Sequence, residues 1–164
     1  MQGTDREDKL MTELTRERVQ DAFAALGSGD RTKMLEYWHE DVRFEIPGNH
    51  AHAGWHEGLD AFLGFLGTVG KLSGGSYRAQ NVTITINPED GYSVDVNTNW
   101  ALRGDAPADR TSPYHLLDVT AMHLLRWEDG RIVEGRGVIL GDGLSTSALW
   151  WSPLNPDGTR SINA

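Results

Sequence analysis

Along this chain the apolar positions change period twice, and each change marks an element. From Thr15, a suitable N-cap, Val19, Ala22, Phe23 and Leu26 recur at helical spacing until Gly27-Ser28-Gly29 stops the run. Asp30 caps a second, shorter helix through Met34, Leu35 and Trp38, after which Val42, Phe44 and Ile46 alternate with Arg43 and Glu45 as a strand ended by Pro47-Gly48. Residues 48–58 are turn-rich. The apolar run Leu59, Phe62, Leu63, Phe65 and Leu66 then predicts a third helix, ended by Gly70 and Gly74-Gly75. Four strands follow, Tyr77–Asn87, Tyr92–Arg103, His115–Glu128 and Arg131–Leu140. Asn87-Pro88-Glu89-Asp90-Gly91 and Glu128-Asp129-Gly130-Arg131 make tight hairpins, and Gly104–Pro113 makes a longer polar loop. Helices followed by a meander predict an α+β domain over residues 13–152 rather than alternating βαβ units. Residues 1–12, without apolar period, form a flexible N-terminal tail in this reading, and 153–164 a C-terminal one.

Composition narrows the function classes. The chain of 164 residues carries 15 Lys plus Arg against 24 Asp plus Glu, a net charge of −9. Such a surface repels phosphate backbones and anionic headgroups, so neither nucleic acid nor membrane is an expected partner. With no cysteine, disulfides, thiolate metal sites, iron–sulfur ligation and a Cys nucleophile are excluded. No stretch has the ~18 apolar residues of a membrane helix, and the polar start lacks a secretory signal, so a cytoplasmic location is expected. Without GxSxG, P-loop or dinucleotide fingerprints, neither covalent Ser-His chemistry nor a nucleotide cofactor is expected. His50, His52 and His56 share one loop, where a His-x-His pair could face a metal. Only Glu57 accompanies them at ligand spacing, which favours a pocket-mouth or surface role and no metal.

Several strings bear a family likeness: AALGSGD at 24–30, YWHEDVRFEIPG at 37–48, AGWHEGLDAF at 53–62, LSGGSYR at 72–78 and HLLRWEDGRIVE at 123–134. The chain from about Thr15 to Ser152 resembles the SnoaL-like, ketosteroid isomerase-like branch of the nuclear transport factor 2-like superfamily. The resemblance implies a cone of three N-terminal helices packed on a strongly bent antiparallel sheet. It also implies a homodimer and an apolar pocket for a small hydrophobic substrate. It implies little about reaction, because this fold hosts cyclases, isomerases, epoxide hydrolases, dehydratases and noncatalytic binders.

The architecture so implied, combined with strand period two, assigns inward faces. Val94, Val96, Thr98, Trp100 and Leu102 would point inward, and Asp95, Asn97 and Asn99 outward to solvent or a dimer contact. On the following strand the inward set is His115, Leu117, Val119, Ala121, His123 and Leu125. The two histidines lie roughly 26 Å apart and cannot serve one reacting atom. His123 matches the position at which ketosteroid isomerases hold a neutral acid as oxyanion donor, a task an imidazole could perform. The matching base position holds Ile46 and the donor tyrosine aligns with Ala22. On the last strand Val133, Gly135, Gly137 and Ile139 point inward, and SnoaL-type cyclases would carry their polar pair at the two glycines. Two glycines on an inward face suggest either space for a bulky ligand or the close approach of a helix.

The site expected from sequence therefore has His123 as acid/base or oxyanion donor. Glu45 and Asp118 are candidate bases, Asp118 only if a bulge turned it inward. Tyr37 or Tyr114 could supply a hydroxyl. Trp38, Phe44, Ile46, Phe62, Leu66, Trp100, His115, Leu117, Val119, Ala121, Gly135, Gly137 and Ile139 would contact substrate. Trp150-Trp151 would cover the cone or a dimer seam. The resemblance favours a cofactor-independent cyclase, isomerase or dehydratase of secondary metabolism, for instance antibiotic biosynthesis, acting on a polyketide- or terpenoid-like substrate. The alternatives are a noncatalytic binder, an epoxide-opening enzyme and a structural dimerisation module.

Overall fold

The computed structural model describes residues 13–107, 114–141 and 143–162, so the expected 1–12 tail lies outside the described residues. Helix α1, Arg16–Ser28, starts where the Thr15 hydroxyl accepts the Arg18 N–H at 3.1 Å, and it stops at Gly29, whose φ of 72° a residue with a Cβ adopts reluctantly. The Asp30 carboxylate caps the four-residue α2, Arg31–Met34. Trp38, expected in this helix, instead opens strand β1, Trp38–Ile46. Its buried indole N–H donates to the Ala22 carbonyl at 2.8 Å and ties α1 to the sheet. The turn-rich segment contains one further strand, β2, Gly54–Glu57, antiparallel to β1.

Helix α3, Leu59–Leu72, precedes the meander β3, Arg78–Asn87; β4, Tyr92–Leu102; β5, Leu116–Glu128; and β6, Arg131–Ile139. The β5–β6 turn has positive φ at both Asp129 (47°) and Gly130 (73°), the backbone that an Asp-Gly hairpin demands. The curved sheet has six strands in the order β2-β1-β6-β5-β4-β3. One pairing departs from the expected antiparallel sheet, since β1 runs parallel to β6. After β6 the chain forms a helix to which the sequence reading gave no element, α4, Gly143–Trp151.

Residues 153–162 are held against the body. Arg160, 2% exposed, donates to the carbonyls of Tyr114 and Ser152 and, with the buried Arg103, clamps Asp105. The two guanidiniums hold the Asp105 carboxyl well below its usual range.

Helix α3 packs on β1 and β2, α1 on β3, and α4 on β5. All three lie on one face of the sheet. The larger core gathers Trp38, Val42, Phe44, Phe62, Leu125 and Ile132 beneath α1 and α3, and a smaller one joins Leu117, Val119 and Trp150 under α4. Between these cores the sheet curls around a cavity.

Candidate active site

Strand β5 follows the expected parity. Leu117, Val119, Ala121 and Leu125 are buried and Asp118 is exposed. Strand β4 inverts it. Asp95, Asn97 and Asn99 are 1%, 5% and 9% exposed, whereas Trp100, expected inside, is 36% exposed on the opposite face. The β4–β5 ladder runs without a bulge from Tyr92 to Leu102, which sets Asp95 directly opposite His123 and leaves Asp118 outward, opposite Trp100.

A main chamber of about 640 Å³ is walled on most sides by apolar groups, among them Phe23, Leu26, Phe44, Ile46, Phe62, Phe65 and Leu66. A smaller lobe of about 120 Å³ shares part of this wall and reaches Leu117, Val119, Ala121, Ile139, Trp150 and Trp151 under α4. The polar atoms are concentrated on β4 and its neighbours. The His123 ring lies between Phe23 and Phe44, with centroids 5.6 and 5.5 Å away. Nδ1 of His123 is 2.9 Å from Oδ2 of the buried Asp95. Asn97 Nδ2 lies farther from the same nitrogen, at 3.2 Å, so the shorter contact, to a carboxylate that only accepts, places the proton on Nδ1 and leaves the neutral form of the ring a lone pair on Nε2. Nε2 has no protein hydrogen-bond partner among the described residues.

The same carboxylate oxygen accepts the Asn97 Nδ2–H at 2.8 Å, Asn99 Nδ2 donates to Asn97 Oδ1 at 2.6 Å, and the Tyr77 hydroxyl donates to Asn99 Oδ1 at 2.5 Å. Among the described residues the buried Asp95 Oδ1 has no hydrogen-bond partner, so the interactions of this carboxylate are concentrated on Oδ2. Desolvation pushes the Tyr77 phenol up to about 12, which keeps it a donor at neutral pH.

The other expected site residues divide between the cavity and elsewhere. Phe44, Ile46, Phe62, Leu66, Leu117, Val119, Ala121, Gly137 and Ile139 all line the chamber or its lobe. Trp38 is fully buried in the core, and His115, 3% exposed, sits beyond the start of β5 and lines neither. Glu45 points outward, 3.6 Å from Arg136, because the alternation of β1 turns it away from Phe44 and Ile46. Neither Glu45 nor Asp118 lies in the cavity. The space expected at the β6 glycines is filled from β1. A Cβ on Gly135 would meet the Phe44 ring at 2.3 Å, and one on Gly137 would meet Pro47 Cδ at 2.9 Å. Gly135 therefore seats the Phe44 ring, and Gly137 admits Pro47 while lining the smaller lobe.

The histidine loop packs against Trp151 of α4. His50 stacks on Trp151 at 4.8 Å and 10°, its Nδ1 accepts the His52 N–H, and its Nε2–H donates to the Pro47 carbonyl. His56 Nε2 donates to the His52 carbonyl. These nitrogens are committed to the loop itself. Among the described residues no group of three or more His, Asp or Glu is placed to hold a metal.

Sequence reasoning missed Asp95, Asn97, Asn99 and Tyr77. One signal was present: three amide or carboxyl side chains at i, i+2 and i+4 of one strand is a costly pattern unless they satisfy one another.

Residues 19–135 match the sequence profile of the SnoaL-like domain. Among solved structures, Bal32a from a soil-derived mobile gene cassette is 27% identical with a TM-score of 0.70 over 82% of this chain and 94% of its own. A candidate SnoaL-like polyketide cyclase from Jannaschia sp. CCS1 is 18% identical, TM-score 0.60, over 84% and 91% of the two chains. TerC, co-crystallised with polyporic acid, is 17% identical, TM-score 0.63, over 83% and 97%. No curated protein matches the sequence. Among the described residues no helix is long and apolar enough to cross a membrane.

Proposed function

The chain belongs to the SnoaL-like family, and from that premise we propose a cofactor-independent enzyme that moves protons on a bulky apolar substrate of polyketide or terpenoid kind, in a cyclisation, isomerisation or dehydration. The observation that carries this reading is the 2.9 Å contact between His123 Nδ1 and a buried carboxylate, which leaves Nε2 as the basic atom in an apolar chamber. This changes the role expected of His123. It is a base first, and becomes a donor only after taking the substrate's proton, which it can return at a second carbon or to a leaving oxygen. Asp95 is the positioning residue that fixes the tautomer and stabilises the imidazolium formed. The apolar wall supports the reading by excluding water that would compete for the proton.

Glu45 and Asp118 have no part in this scheme. A family-typical homodimer in the cytoplasm is part of the same proposal. It rests on the outer sheet face, which no helix covers among the described residues and where Trp100, Leu124 and Val138 are 36%, 41% and 45% exposed.

The test uses 2-tetralone, a bicyclic ketone with an acidic C–H, and follows deuterium uptake at its α-carbon in D2O by NMR. Wild type is expected to exchange it above the buffer rate. His123→Ala and His123→Gln should lose about 10²–10⁴ of that rate while still binding the ketone, read by tryptophan fluorescence. Unchanged exchange in both variants overturns the catalytic reading in favour of the binder.

A further inference from the structure

We infer that Tyr77, Asn99 and Asn97 are positioning residues that form a one-way hydrogen-bond relay from the chamber wall to Asp95 and set the basicity of His123. The inference rests on the reading of His123 as the base and adds what tunes it. Its direction follows from charge. The carboxylate of Asp95 can only accept, so Asn97 must turn its NH2 group toward it, at 2.8 Å. That turn presents Asn97 Oδ1 to Asn99, which must donate in its turn, at 2.6 Å. Asn99 Oδ1 is thereby left for a hydroxyl donor, and Tyr77 supplies one. Reversing any amide would set two acceptors or two NH groups face to face.

The chain is buried for most of its length. Asp95, Asn97 and Asn99 are each at most 9% exposed, whereas Tyr77 is 38% exposed. Such residues are placed inside at a desolvation cost, and the ladder of β4 brings them to one face at every second position. A merely structural role would be served as well by valine or leucine, which β4 carries on its other face. Successive donors in one direction polarise each other. Their combined effect at Asp95 is to spread its negative charge and weaken its hold on the imidazolium.

Among the described residues the other groups facing the His123 ring are uncharged. Helix α1 contributes Phe23 and β1 contributes Phe44. Gln20 is the polar α1 residue in the chamber wall, and β6 backs the ring with Gly137. Asp95 and Tyr77 are the titratable groups of the wall besides His123. Asn97 Nδ2 also lies 3.2 Å from His123 Nδ1 and so acts on the ring both directly and through Asp95, whereas loss of the Asn99 or Tyr77 donor reaches the imidazole only through Asn97 and Asp95. Such a loss concentrates the carboxylate charge and makes His123 easier to protonate.

The test is a 15N NMR titration of the ligand-free full chain, following both ring nitrogens of His123 in wild type, Asn97→Ala, Asn99→Ala and Tyr77→Phe. At high pH wild type is expected to show a protonated Nδ1 and a bare Nε2. Asn97→Ala should move the His123 midpoint upward by about 0.5 to 1 pH unit, the size of one ordinary net hydrogen bond. Asn99→Ala and Tyr77→Phe should move it in the same direction by successively smaller amounts. Tyr77→Phe keeps the ring and the fold, so it decides the matter even if an amide variant misfolds. A midpoint unmoved by Tyr77→Phe, or an order that does not follow distance from Asp95, overturns the relay. Because the titration needs no substrate, its failure is separable from failure of the exchange assay with 2-tetralone.

Discussion

Strands β4 and β5 are neighbours in one sheet with an unbroken register, yet they treat polarity in opposite ways. On β5 Leu117, Val119, Ala121 and Leu125 face the helices and Asp118 faces out, as water dictates. On β4 the carboxylate and two amides face in, while Val94, Val96 and Trp100 face away from the helices. An ordinary core cannot account for β4, because each buried amide or carboxylate costs free energy that a valine would not. The inversion is tolerable because the three side chains satisfy one another and His123, and because the apolar side of β4 lies on a sheet face suited to a second subunit. The strand that breaks the hydrophobic rule therefore marks both the site and the proposed interface.

The comparison breaks most sharply at Asp95. Asp95→Asn can donate to Nδ1 and so favours the tautomer with the proton on Nε2, removing the base while leaving the shape intact. The loss in α-proton exchange should be on the order of 10²–10⁴, measured under saturating ketone. Gly135→Ala probes the opposite wall. A Cβ there must displace the Phe44 ring, and overpacking of this kind costs about 1–3 kcal/mol, readable in urea unfolding. On the outer face, Leu124→Glu puts a charge in the apolar patch of β5 and should weaken dimerisation by about tenfold or more in sedimentation velocity, at unchanged monomer fold.

The smallest effect lies outside both strands. Burial lowers the His50 pKa from 6.5 to about 4, so between these values the folded chain binds fewer protons than the unfolded one. Stability from this group is fully present above pH 6.5 and is lost as pH falls toward 4. His50→Gln should flatten that part of the stability–pH curve, and an unaltered slope would assign it to other groups.

Much of the fold was legible because period and turn chemistry are local. The four meander strands fall within one residue of their expected ends, and Thr15 and Asp30 cap the helices they were expected to cap. Pairing between distant segments was not legible, so the parallel contact of β1 with β6 was missed. Of the site, His123 could be found as a polar residue on an apolar face. Its partner could not, because the architecture implied by the family resemblance, combined with strand period two, assigned Asp95 to the solvent side. The glycines of β6 misled for a related reason. A missing side chain reads as space, and only the tertiary structure shows that Phe44 occupies it.

The most direct test of the account sets two aspartates of adjacent strands against each other in the 2-tetralone exchange assay. Asp95→Asn should abolish exchange down to about the buffer rate, and Asp118→Asn, exposed on the outer face, should leave it unchanged. Exchange retained in Asp95→Asn but lost in Asp118→Asn, or a wild type no faster than buffer, would contradict the assignment of the site to the inverted face of β4.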